Sequence, residues 1–107
     1  MTDAVTRVLF VCLGNICRSP AADAVLRLRV QERGLGERIR VDSCGTAGWH
    51  VGKPPDPRSV AAARERGYDL SPLRARQLCW EDYFDFDYML AMDESNLEVL
   101  RREAPLD

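Results

Sequence analysis

The chain has 107 residues, room for one compact domain, and its 46% apolar content can fill one core, which excludes global disorder. Charged residues make up 30%, yet Lys+Arg 15 against Asp+Glu 17 leave a net charge of only −2. That balance argues against nucleic-acid binding, which usually needs a basic excess or stripe, and leaves room for one small anion site.

Taken in chain order, Val8 to Val11 is a continuous β-branched and aromatic run, as expected of a parallel strand buried on both faces. The run to Cys12 is too short for a signal-peptide core or a membrane span, and no basic flank precedes it. Residues 12 to 18 contain the turn formers Gly14 and Asn15, after which Ser19-Pro20 predicts a helix cap followed by proline at the first helical position. Ala21, Ala22, Val25, Leu26 and Leu28 supply its apolar face, and Gly34 is placed to end it. Ile39 to Ser43 predicts a second strand closed by Gly45, and residues 44 to 55 a loop. Asp56-Pro57 repeats the cap-then-proline signature and opens a helix running to Gly67. Residues 68 to 84 show no clear period. Asp82 to Tyr88 alternates acids with aromatics, as at a helix-to-strand junction; Phe86 to Met92 suits a buried strand, and Asp93 caps a last helix with Leu97 and Leu100. The alternation predicts an α/β fold: a central parallel sheet with helices on both faces.

The four cysteines, at 12, 17, 44 and 79, form no C-x-x-C pair, and His50 is the one histidine, so neither a metal site nor another cofactor is expected. The chain reads as cytoplasmic, with free thiols and no membrane association. Cys44 and Cys79 read as spectators.

Ligands in such sheets bind beyond the carboxyl ends of the strands, which here means the run Cys12 to Arg18. A loop entering a helix presents unpaired backbone N–H groups and the positive end of the helix dipole, a nest suited to a phosphate-sized anion. Gly14 lets the backbone approach closely, and Arg18 adds a planar fork for two oxygens. Cys12 stands where the loop begins, in a field that favours the thiolate, and Ser19 can donate to its sulfur. The alternative is a buried structural cysteine beside a surface arginine; the strand–loop–capped-helix context favours the anion site. Likewise Ser43 could merely end a strand, and Trp49 could fold back on the core.

The run Val8-Leu9-Phe10-Val11-Cys12-Leu13-Gly14-Asn15-Ile16-Cys17-Arg18-Ser19-Pro20 resembles the signature of the low-molecular-weight protein tyrosine phosphatases. The similarity continues in order through Val41-Asp42-Ser43, Gly45 to Trp49, Pro54 to Arg58, Ala75-Arg76-Gln77 and Met92 to Asn96. It implies a three-layer, Rossmann-like fold of the phosphotyrosine phosphatase I type as one domain over 1–107, with its last strand and helix missing. It also implies hydrolysis of phosphotyrosine proteins or small aryl phosphates through a cysteinyl-phosphate. Cys12 would be the nucleophile and Arg18 the oxyanion clamp, within a phosphate cradle of Leu13, Gly14, Asn15, Ile16, Cys17 and Arg18. Asn15, Ser19, Ser43 and Asp93 would support the loop, Trp49 and His50 would wall the substrate, and Cys17 would pair reversibly with Cys12 under oxidant.

Three departures qualify that implication. The family's general acid is an Asp in an Asp-Pro dipeptide on a loop beyond residue 107; the Asp-Pro present here, Asp56-Pro57, falls at a helix start and reads as a cap, and the terminal Asp107 is poorly placed for the role. Turnover of phosphotyrosine is therefore expected to be impaired. Leu73 stands where relatives commonly have a loop-supporting His. Without a closing strand, Phe86 to Met92 becomes an exposed apolar edge, so the chain is expected to be a fragment, the favoured reading, or to self-associate through that edge. The rival functions are a non-catalytic phosphate- or phosphotyrosine-binding module and a thiol-dependent arsenate reductase. The latter is disfavoured because Met92 to Asn96 lacks a resolving cysteine.

Overall fold

The computed structural model describes residues 4–105, so Asp107 lies outside the described residues. Strand β1 (Thr6–Cys12) leads into helix α1 (Arg18–Glu32), followed by β2 (Ile39–Gly45), α2 (Pro57–Glu65), the one-turn α3 (Asp82–Asp85), β3 (Tyr88–Ala91) and α4 (Glu94–Glu103). The strands form a parallel sheet in the order β2-β1-β3, the α/β architecture expected from the alternation. No helix among the described residues is long and apolar enough to cross a membrane.

β1 is the central strand, which is why it carries the most continuous apolar run. Leu9 and Val11 are fully buried and form a core cluster with Cys44 of β2 and Leu100 of α4. Leu78, Tyr83, Phe86, Met89 and Ala91 pack around that cluster, and the Tyr83 hydroxyl donates to the Leu100 carbonyl at 2.8 Å. Each fully buried Leu or Val contributes roughly 1.5–3 kcal/mol by leaving water. Successive side chains alternate faces, so Val8, Phe10 and Cys12 turn the other way, where Ser19 of α1 meets Cys12. α1 and α4 thus cover opposite faces.

The structure corrects three local expectations. α1 begins at Arg18 with Cys17 as its cap residue and no side-chain cap bond, because the Ser19 hydroxyl is turned inward. Its buried residues are Ser19, Pro20, Asp23, Ala24 and Val30, while Val25 is exposed. The inward face carries Ser19, which bonds into the loop, and Asp23, which holds Arg27, so hydrophobicity alone points elsewhere. Only Tyr88–Ala91 of the run Phe86 to Met92 enters the ladder, as an edge strand: Met89 and Ala91 face the core, while Tyr88 and Leu90 are exposed.

The helix boundaries follow ordinary rules elsewhere. Gly34, just past the C-cap Arg33, takes φ +69, a conformation that favours glycine. Asp56 caps α2 by accepting the Arg58 N–H at 2.8 Å, ahead of Pro57. Asp93 caps α4 by accepting the Asn96 N–H at 2.8 Å. On α1 the fully buried Asp23 accepts from Arg27 Nε and Nη2 at 3.0 and 2.8 Å through Oδ1. Burial pushes the Asp23 carboxyl above its ordinary range against the pull of Arg27. Arg27 also donates to the Val41 carbonyl of β2, at 2.8 Å.

Candidate active site

β2 and β3 lie on opposite sides of β1, so the segments leaving the carboxyl ends of β1 and β3 part and leave a crevice. The loop from Cys12 to Arg18 occupies it. Asn15, at its midpoint, adopts the left-handed φ of 57, which asparagine tolerates better than most residues and which curls the loop back over the sulfur. Cys12 is 3% exposed. Its Sγ lies 2.9 Å from Ser19 Oγ and accepts the Asn15 N–H at 3.2 Å.

A buried polar network holds this geometry. Asn15 Nδ2 donates to Ser19 Oγ at 2.8 Å and to Ser43 Oγ at 3.0 Å, while Asn15 Oδ1 accepts the Arg76 N–H at 2.9 Å. The Ser19 proton can go to the sulfur or to the Cys44 carbonyl at 3.3 Å. Each bond anchors the αL turn to a different element, so the loop is over-determined.

The loop's carbonyls are taken from outside. Thr46 N–H donates to Cys12 O and Ala47 N–H to Leu13 O, both at 2.9 Å, and Asp56 N–H donates to Ile16 O at 2.8 Å. In a trans peptide the C=O and N–H point in opposite directions, so the amides of Leu13, Gly14 and Cys17 face away from these ties. Among the described residues, the amides of Gly14, Ile16 and Cys17 make no hydrogen bond to protein. The result is a concave set of donors beside a sulfur, able to surround a tetrahedral oxyanion.

Gly45 makes that close packing possible. A Cβ there would stand 2.7 Å from the Leu13 carbonyl oxygen, 2.9 Å from Gly14 C and 3.0 Å from Asn15 N. All three atoms are loop backbone, so none can swing aside. Gly45→Ala is expected to displace the loop and weaken binding of a tetrahedral oxyanion such as inorganic phosphate by about tenfold. The circular dichroism spectrum should stay unchanged; unaltered phosphate affinity would show that the loop tolerates the shift.

A hollow of about 230 Å³ opens above Cys12, bounded by Leu13, Gly14, Ile16, Cys17 and Arg18 on the loop side and by Trp49 and His50 opposite. Trp49 is 69% exposed and stands as a wall instead of folding back on the core. The His50 ring lies over Gly14, 2.9 Å from where a Cβ would be. Arg18 Nη1 donates to Asp93 Oδ2 at 2.7 Å across the crevice. This hydrogen bond raises the arginine further above its ordinary range and lowers the aspartate. Asp93 thus reaches the site through Arg18, apart from the Asn15–Ser19–Ser43 network.

Sequence reasoning missed Arg76 as a brace, although Ala75-Arg76-Gln77 stood among the resembling segments. Besides its N–H bond to Asn15, its guanidinium pairs with Asp42 at 3.1 Å and with Asp82 at 3.0 Å. Burial alone would lower the Arg76 pKa, but the two carboxylates outweigh it and raise it. Leu73 borders a separate hollow with Leu28 and Tyr68. Cys44 sits in the core, where burial pushes its thiol up to about 12. Cys79 is exposed, with its thiol also raised, by desolvation first and then by neighbouring acids.

Comparison with known proteins agrees with this geometry. The family described as low molecular weight phosphotyrosine protein phosphatase matches residues 7–106. The chain is 51% identical over 100 residues to the low molecular weight phosphotyrosine protein phosphatase of Schizosaccharomyces pombe, covering 92% of this chain and 64% of that protein. It is 50% identical over 101 residues to the protein of the same description from Homo sapiens, covering 94% and 63%. Among solved structures, YfkJ from Bacillus subtilis superposes with a TM-score of 0.91 at 44% identity, over 94% of this chain and 64% of that one. The chain thus spans just under two thirds of the length of each.

Proposed function

The chain belongs to the low molecular weight phosphotyrosine protein phosphatase family, and on that premise we propose that it hydrolyses phosphotyrosine and aryl phosphate monoesters through a phosphorylated Cys12. The observation that carries this reading is the union of a buried sulfur, a ring of loop amides and a guanidinium in one small hollow. The thiolate attacks phosphorus, the aryl oxide leaves, and water then cleaves the S–P bond to return thiolate and inorganic phosphate. Leu13 to Arg18 form the cradle, and Arg18 takes equatorial oxygens with donors not engaged by Asp93. Ser19 donates to the sulfur, while Asn15 and Ser43 hold the loop. Trp49 and His50 flank the aryl ring.

No carboxyl group lines the hollow among the described residues. Esters with good leaving groups are therefore turned over well ahead of phosphotyrosine, whose poorer leaving group needs a proton.

Cys17 borders the same hollow as Cys12. Under peroxide the two thiols close to a disulfide, giving two electrons and two protons to form two molecules of water, and thiol reductant restores them. Reliance on a free thiol suits a reducing compartment, the cytoplasm.

Rapid mixing with p-nitrophenyl phosphate tests the enzyme reading. A burst of about one p-nitrophenolate per chain, with an acid-labile phosphate on Cys12, is expected. Binding of phosphate with no burst would identify the chain as a non-catalytic phosphate-binding module.

A further inference from the structure

A second hollow, of about 440 Å³, adjoins the one above Cys12, and Leu13 and Trp49 belong to both. Its far side is formed by Leu78, Trp80, Tyr83 and Val99. Trp80 is 63% exposed and stacks edge-to-face on Phe84, with ring centroids 5.5 Å apart. The chain contains two tryptophans, and both border this hollow. Large aromatic surface left open to water is costly unless something covers it.

We propose that this second hollow is a specificity subsite for an apolar side chain flanking the phosphotyrosine of a polypeptide substrate. The inference rests on the phosphatase reading of the first hollow and adds what decides between peptides. Continuity carries it: a chain whose phosphotyrosine ring lies against Trp49 must cross that same wall, and the second hollow begins on its other side. An extended chain advances about 3.3 Å per residue, so a side chain one to three positions from the phosphotyrosine reaches it. Charge selects an apolar occupant. Arg102 at the rim is paired with Glu103 at 3.6 Å, and Gln77 is tied to the Thr46 carbonyl at 3.3 Å, so among the described residues the rim offers no unpaired cation for an acidic residue.

Calorimetric titration of the full chain with non-hydrolysable phosphonate peptides tests this. One peptide carries leucine at the three positions on each side of a phosphonomethyl-phenylalanine, a second carries glycine there, and benzylphosphonate probes the first hollow alone. The leucine peptide is expected to bind about tenfold more tightly than the glycine peptide, a part of what full burial of leucine would yield. Trp80→Ala should erase that difference and leave benzylphosphonate affinity unchanged; Val99→Asp, on a different element, should do the same. Equal affinity of the two peptides for the unaltered chain would overturn the proposal, as would a Trp80→Ala variant that weakens benzylphosphonate as much as the leucine peptide. If benzylphosphonate itself fails to bind, the phosphate-cradle reading falls first and the subsite with it.

Discussion

Cys12→Ser is expected to lower turnover of p-nitrophenyl phosphate by about 10,000-fold or more, because it removes the nucleophile and with it the covalent route. The substitution keeps the shape of the side chain and leaves Ser19, Asn15 and Ser43 bonded to one another. The cradle of amides and Arg18 survives, so affinity for inorganic phosphate should change no more than a few-fold. A steady-state assay paired with phosphate titration by calorimetry separates the two effects. Loss of phosphate binding together with activity would instead mean that the sulfur braces the loop. Cys44→Ser is the control for thiol chemistry in general: Cys44 is fully buried in the core and its thiol is pushed up to about 12, so that variant should keep its rate for p-nitrophenyl phosphate.

The second large effect is expected at Arg18. Arg18→Lys retains the charge but replaces a planar fork with a single point donor, and kcat/KM for p-nitrophenyl phosphate should fall by about 100- to 1,000-fold, the usual loss when a transition-state donor goes. The fall should appear in kcat more than in KM, since the equatorial oxygens draw closest to the fork as phosphorus becomes five-coordinate. Asp93→Asn removes the carboxylate that receives Arg18 Nη1 at 2.7 Å and should cost less, about tenfold, because the guanidinium stays present and is only less well aimed. The pair raises the arginine pKa and lowers that of the aspartate. It is therefore fully formed through neutral pH and lost only as pH falls through the depressed carboxylate pKa. Equal losses in the two variants would show that orientation, and not the fork, is what Arg18 provides.

The order of elements and the loop that holds the candidate site could both be read before any coordinates. Val8 to Val11 is apolar on both pleats because β1 is the central strand, and that property is local to the run. The loop from Cys12 to Arg18 was legible for a similar reason: a glycine, an αL-tolerant asparagine and a proline-started helix act through their own backbones. The helix α1 was harder. Its inward face includes Ser19, which bonds into the loop, and Asp23, which holds Arg27, so a search for an apolar stripe selects Val25, which faces water. β3 was overestimated in burial, since an edge strand and a central strand share the same composition and differ only in their neighbours.

By itself the sequence determined the family resemblance and where a candidate site should be sought: a cysteine and an arginine on one short loop at the end of a buried parallel strand. Such a loop is a short-range object, specified by residue types a few positions apart. Only the tertiary structure decided how that loop is held and what stands around it. Asn15 reaches Ser43, 28 positions away, and the Arg76 amide, 61 positions away. Gly45 must lack a side chain because another strand's loop passes within 3 Å. Trp49 and Trp80 come to border one hollow although helix α2 and a segment without clear period separate them. Hydrogen bonds and close contacts of that kind join residues with no pattern in common, and it is the packing of β2 and the segment after α2 against the end of β1 that brings them together.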